Sequence, residues 1–125
     1  MKSNKEILDE LGERIIKDCF DGYIKQVTSL RVKENPPAIF KEKCDFLKSL
    51  TDDQFSDLKK ILRGSFEVSF FEFFKIFEEN PRYKILYSEE SNEVDLTKIS
   101  EMLKAEHMIE GGWIDRFSEY SDEMK

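Results

Sequence analysis

The sequence predicts a mainly α protein: a single bundle of about five to six helices around a Phe-rich central helix, with one small β-hairpin near 83–96. Three observations carry this reading. Apolar residues recur at steps of three and four through most of the chain, two capping-box tetrapeptides punctuate it, and residues 66–77 are dense in phenylalanine. One domain spanning 1–125 suits a chain of 125 residues, of which 39% are apolar and able to fill a core.

Ser3-Asn4-Lys5-Glu6 is the first capping box and opens a long helix bearing Ile7, Leu8, Leu11, Ile16, Cys19, Phe20, Ile24 and Val27 at helical spacing. Gly12 and Gly22 each cost about 1 kcal/mol relative to alanine inside a helix, so a bend or break is expected near Asp21-Gly22. Asn35-Pro36-Pro37 predicts the start of a second helix, capped by Asn35 and burying Ile39 or Phe40, the Lys43 stem or Cys44, Phe46, Leu47 and Leu50. Thr51-Asp52-Asp53-Gln54 is the second capping box, with Leu50 and Phe55 placed to form a hydrophobic staple across it. The third helix carries Phe55, Leu58, Ile61 and Leu62 on one face up to Gly64-Ser65.

Residues 65–79 are apolar on nearly all sides, which predicts a separate, buried helix ended by Asn80-Pro81. A strand is the competing reading, because Phe and Val favour sheets; Glu67, Glu72, Lys75 and the length of the run favour the helix. Residues 83–87 and 93–96 predict two short strands joined by a five-residue acidic tip. A fifth helix is expected from Thr97 through Ile109, broken by Gly111-Gly112. A final two-turn helix would carry Trp113, Ile114, Phe117 and Tyr120.

The net charge of −7 is not evenly spread. Residues 1–77 balance 14 acids against 14 bases, whereas residues 78–125 hold 13 acids and 6 bases. The C-terminal two-fifths therefore carries the whole imbalance. Nucleic acid and anionic membranes attract clustered Lys and Arg, so neither is expected as a partner. No run approaches the ~20 apolar residues of a membrane span, and the N-terminus lacks a signal-peptide core. The expected location is the cytoplasm.

Catalytic machinery is not legible. His107 is the only histidine, expected near a helix end and partly exposed; the residue three before it is Lys104, so no Glu-x-x-His metal pair exists. Cys19 and Cys44 read as two buried thiols without a disulfide, and no zinc ligand set can be assembled around them. Gly111-Gly112 lacks the flanking residues of a phosphate loop, and 88–93 does not match a calcium loop. No catalytic residue, cofactor or metal is therefore expected. The phenylalanine cluster reads as core, with an apolar-ligand pocket as the lesser alternative.

What remains is binding. Glu89, Glu90, Glu93 and Asp95 form an acidic hairpin tip, which is either a solvated turn or a docking surface for a basic protein. Glu119, Asp122 and Glu123 of the tail could extend that surface; Trp113, Phe117 and Tyr120 read first as a terminal helix closing the core, and otherwise Trp113 or Tyr120 would be aromatic anchors. A regulatory adaptor or homo-oligomeric subunit using apolar contacts is the alternative. With the acidic hairpin and the closing stretch Glu110-Gly111-Gly112-Trp113-Ile114-Asp115-Arg116-Phe117-Ser118, the layout resembles small acidic immunity proteins that bacteria encode beside contact-dependent or other polymorphic toxins. The resemblance lies in size, charge and helical character. It implies a cytoplasmic inhibitor that binds a cationic toxin domain, often a nuclease, and blocks its active site.

Overall fold

A computed structural model of the chain describes residues 2–123. The first element is a helical rod running from Asn4 to Val32 in three parts: α1 (Asn4–Arg14), a π-helical segment (Ile15–Asp21) and α2 (Gly22–Val32). Ser3 caps it as expected: its hydroxyl accepts from the Glu6 N–H at 3.2 Å, and the Glu6 carboxylate accepts from the Ser3 N–H at 3.2 Å. The irregularity foreseen at Asp21-Gly22 is a wider helical turn, not a break. Ile16, Phe20, Ile24 and Val27 remain on one buried side, and Asp21 turns inward beside them.

A 3₁₀ turn (Ala38–Phe40) leads into α3 (Lys41–Ser49), so the second helix begins later than Asn35-Pro36-Pro37 suggests. Asn35 instead takes a positive φ of 47° and reverses the chain, a conformation that asparagine tolerates. Cys44 and Leu47 are buried and Phe40 half-buried, but Ile39 and Phe46, expected in the same stripe, point outward. Arg31 ties the end of α2 to this corner. Its guanidinium donates to the carbonyls of Leu47 and Leu50 at 3.3 and 2.8 Å and to Asp52 at 3.1 Å, and lies 4.6 Å from the Phe55 ring centroid. Carbonyls left open at the C-terminus of α3 are thereby satisfied.

α4 (Asp52–Glu79) is one uninterrupted 28-residue helix. Thr51 and Gln54 form its capping box, and Leu50 packs with Phe55 as the staple requires. Gly64 does not divide it. A single glycine costs about 1 kcal/mol in a helix interior, less than the packing gained on either side of it. Nor is the Phe-rich half buried all round: Phe74 is sealed, Phe66, Phe70, Phe71 and Phe77 are half-buried, and Val68, Phe73 and Ile76 face outward. Too few elements surround α4 to cover every side.

The hairpin is present in a tighter form. β1 (Leu86–Glu89) pairs antiparallel with β2 (Asn92–Asp95), Glu89 opposite Asn92, so only Glu90 and Ser91 make the turn. α5 (Leu96–Ile99) is one turn long. The helix expected through Ile109 does not form. Residues 100–112 instead make a 3₁₀ turn (Leu103–Ala105) and successive bends packed on α4. The Lys104 N–H is taken by the Glu78 carboxylate at 2.8 Å, which draws the chain across α4 instead of along a helical axis. α6 (Trp113–Phe117) is shorter than the two turns expected.

Two clusters make up the interior. Ile7, Ile16, Phe20, Phe74, Leu103 and Trp113 anchor the larger, and Val27, Leu47 and Phe55 the smaller. Leu62 packs against both and joins them. Cys44 is buried and Cys19 exposed, which corrects the expectation of two buried thiols. Among the described residues no helix is long and apolar enough to cross a membrane.

Candidate functional site

The hairpin sorts its carboxylates by the two-residue period of a strand. Tyr87, Glu89, Asn92 and Val94 share one face, and Leu86, Ser88, Glu93 and Asp95 the other. Tyr87 and Val94 pack on the main core, so the first face looks inward. Glu89 is consequently half-buried, and its carboxylate accepts the Tyr87 hydroxyl at 2.9 Å. That bond to Glu89 pushes the Tyr87 phenol above its ordinary value.

Asp95 is occupied structurally. It caps α5, accepting from the Thr97 hydroxyl at 2.8 Å and the Thr97 N–H at 3.0 Å. The Thr97 hydroxyl holds the Asp95 carboxyl below its usual range. Glu90 and Glu93 are different. Both are exposed, Glu90 at the turn and Glu93 on the outward face. Glu90 adopts φ 57°, the left-handed region, where a non-glycine residue pays a backbone cost of about 1 kcal/mol or more.

The tail acids do not join this tip. The hairpin lies over α1, bordering a groove formed by Ile7, Leu11, Ile85, Tyr87 and Leu96. The tail seats against the π-helical segment and the start of α2. There Asp21, only 3% exposed, accepts the Ser118 hydroxyl at 2.6 Å and the Glu119 N–H at 3.0 Å. The Glu119 carboxylate meets the Lys25 ammonium at 3.4 Å, and Arg63 donates to the Ser121 carbonyl at 3.1 Å. Lys25 thus offsets part of the tail's negative charge. Asp122 and Glu123 are exposed. Of the nine residues singled out from the sequence, four therefore lie on the hairpin and four in the tail, apart from each other, and Trp113 belongs to neither group.

Neither aromatic anchor is free. Trp113 is 0% exposed, its ring laid against Gly12 of α1 and 6.1 Å from the Phe74 centroid, so it closes the core instead of offering a contact. Tyr120 is half-buried, and burial with the neighbouring Glu119 pushes its phenol up to about 12. The stretch around Trp113 is built to seat it. The Gly111 N–H donates to Asp115 and its carbonyl accepts from Arg116, both at 2.8 Å, while Arg116 reaches Asp9 of α1 at 2.9 Å. Any side chain at Gly112 would strike the Glu106 and Ile109 carbonyls.

His107 is also fully buried, contrary to the partly exposed position expected. Its Nε2 lies 2.8 Å from the Glu67 carbonyl, which can only accept, so Nε2 carries the proton. Rings of Phe66, Phe70 and Phe74 stand 5.9, 6.1 and 6.4 Å away. Burial lowers its pKa, only partly countered by the Glu67 carbonyl. The Nδ1 of His107 and the indole N–H of Trp113 are buried without a partner. Asp21 and His107 were not sequence candidates for polar core sites. An Asp-Gly pair reads as a helix breaker, and a lone histidine near a helix end reads as partly exposed. Among the described residues no three His, Cys, Asp or Glu side chains are grouped to hold a metal ion. No protein-family model, curated protein or solved structure matches the chain.

Proposed function

We propose that the chain is a non-enzymatic protein-binding module that docks a basic protein through the hairpin tip. The observation that carries this reading is the pair Glu90 and Glu93, two exposed carboxylates at the end of a two-residue hairpin in the acidic part of the chain. Such a tip steers a cationic surface during encounter, and paired charges then set its orientation. Glu89 stands behind them as a reserve of negative potential on the inward face. The chemistry of the remaining polar groups supports binding over turnover: His107 is sealed under phenylalanine, and both Asp21 oxygens are engaged.

In its finer form the proposal is an immunity protein acting in the bacterial cytoplasm, with a cationic toxin domain as the basic partner. Trp113 has no part in the contact; Tyr120, Glu119, Asp122 and Glu123 belong to a separate, secondary surface. Affinity capture from the source cell, with wild type and with the Glu90→Lys/Glu93→Lys double variant, tests the reading. A basic protein retained by wild type at low salt and lost with the variant supports it. Identical capture by both proteins contradicts it.

A further inference from the structure

α4 carries a second surface, unrelated to the hairpin. Ile61, Ser65, Val68, Glu72 and Ile76 follow at steps of three and four along its outward face, with Ser69 and Phe73 beside them. Ile61 and Val68 are 64% and 62% exposed, and Phe73 and Ile76 nearly half. The apolar character continues sideways into two grooves between α4 and its neighbours, of about 270 and 220 Å³, which meet at Tyr23 and Leu62. Tyr23 and Phe46, both more than half uncovered or close to it, border the second groove. A folded monomer seldom leaves this many large apolar side chains exposed on one side.

We propose that this face pairs with the same face of a second copy, α4 antiparallel to α4, about a twofold axis near Val68 and Ser69. Charge fixes the occupant and the direction. The N-terminal half of the face is flanked by Lys60 and by Lys43, which lines the groove beside Leu58, against a single acid, Asp57. Its C-terminal half carries Glu79, and Glu72 paired with Lys75 of the same helix at 4.0 Å. An antiparallel mate centred there sets Ile61 against Ile76 and brings Glu79 over Leu58, within reach of Lys43 and a turn from Lys60. A parallel mate would stack Glu72 on Glu72 and Lys60 on Lys60. A surface whose two halves complement each other in this way is what an isologous dimer requires.

The area is also sufficient. A large side chain buries ~200 Å² in full, so six left about half exposed supply roughly 600 Å² per copy. The walls of the two grooves bring this toward the ~800 Å² per partner of a standard stable interface.

Sedimentation equilibrium on the full chain tests the pairing. The expected mass is twice the 14.9 kDa of one chain. Val68→Glu places a carboxylate beside its own symmetry image and is expected to give a monomer with an unchanged circular dichroism spectrum, because the side chain is exposed. Lys43→Glu should weaken the dimer, and Glu79→Lys in the same chain should restore it. A monomeric mass at every attainable concentration, which would leave the stripe to a chain of different sequence, overturns the proposal. So does a dimer that Val68→Glu leaves intact, or charge swaps without the reciprocal rescue.

Discussion

Gly12 lies directly under the indole of Trp113, with no space between them for even a methyl group. The pair joins the first helix to the closing one and lets the indole sit fully out of water. A Cβ at residue 12 would overlap the ring atoms, so the wedge must push α6 off α1 or drive Trp113 from its rotamer. Overpacking of this kind costs about 1–3 kcal/mol or more. Gly12→Ala should lower stability by that amount in chemical denaturation followed through Trp113 fluorescence.

Gly64 is the control. It lies inside α4 with nothing within 4 Å of an added Cβ. Gly64→Ala removes backbone freedom from the unfolded chain and should raise stability by roughly 0.5–1 kcal/mol. Opposite signs for the two glycines, in the same denaturant series, are the expected outcome. Equal signs would mean that Gly12 is not a packing position.

Much of the fold was legible because its signals are local. Ser3 with Glu6 and Thr51 with Gln54 announce two helix starts within four residues each, and the structure uses both boxes. The hairpin was legible from composition, though its length was not. Pairing Glu89 with Asn92 satisfies backbone groups that a five-residue loop would leave to water, and this outweighs the strain at Glu90. The misreadings share one cause: they depend on what packs nearby. Glycine at 64 reads as a stop only if nothing holds the helix on both sides. Periodicity at 97–109 reads as a helix until the Glu78 carboxylate captures the Lys104 N–H. Trp113 reads as core or as an anchor from sequence, and only the glycine facing it from 101 positions away decides the matter.

The Asp21 carboxylate is the second long-range tie. It joins the π-helical segment to Ser118 and Glu119 through two hydrogen bonds. Removing one partner of a buried charged bond leaves the other unsatisfied, at about 1–3 kcal/mol. Asp21→Ala should cost that much and release the tail, seen as faster amide exchange at Glu119 and Tyr120. Ser118→Ala should cost less, and the double variant should fall short of the sum, because the two residues share one bond.

His107 gives the protein a defined response to mild acid. Its folded pKa is depressed by burial, so below the ordinary histidine value of about 6.5 the unfolded chain takes up a proton that the folded chain resists. The stability is complete above that value and is lost as pH falls from it toward the folded pKa. Carboxylates with lowered values, such as Asp9 and Asp95, act further down the scale. Thermal midpoints measured from neutral pH to pH ~5 should therefore fall in wild type and stay nearly level in His107→Gln, which retains a donor toward the Glu67 carbonyl. Parallel slopes in both proteins would assign the effect elsewhere.

Glu90 separates turn geometry from function. Glu90→Gly relieves a left-handed backbone and should stabilise the hairpin by about 1 kcal/mol, read as slower amide exchange in β1 and β2. It also deletes one docking carboxylate. A variant with a firmer hairpin and a slower association rate is the expected combination.

The salt dependence of association with the captured basic partner tests the docking surface most directly. Stopped-flow rates for wild type should rise steeply as ionic strength falls, and those for Glu90→Lys/Glu93→Lys should be slower and nearly flat. Equal rates and equal slopes for the two proteins would contradict a docking role for the hairpin tip.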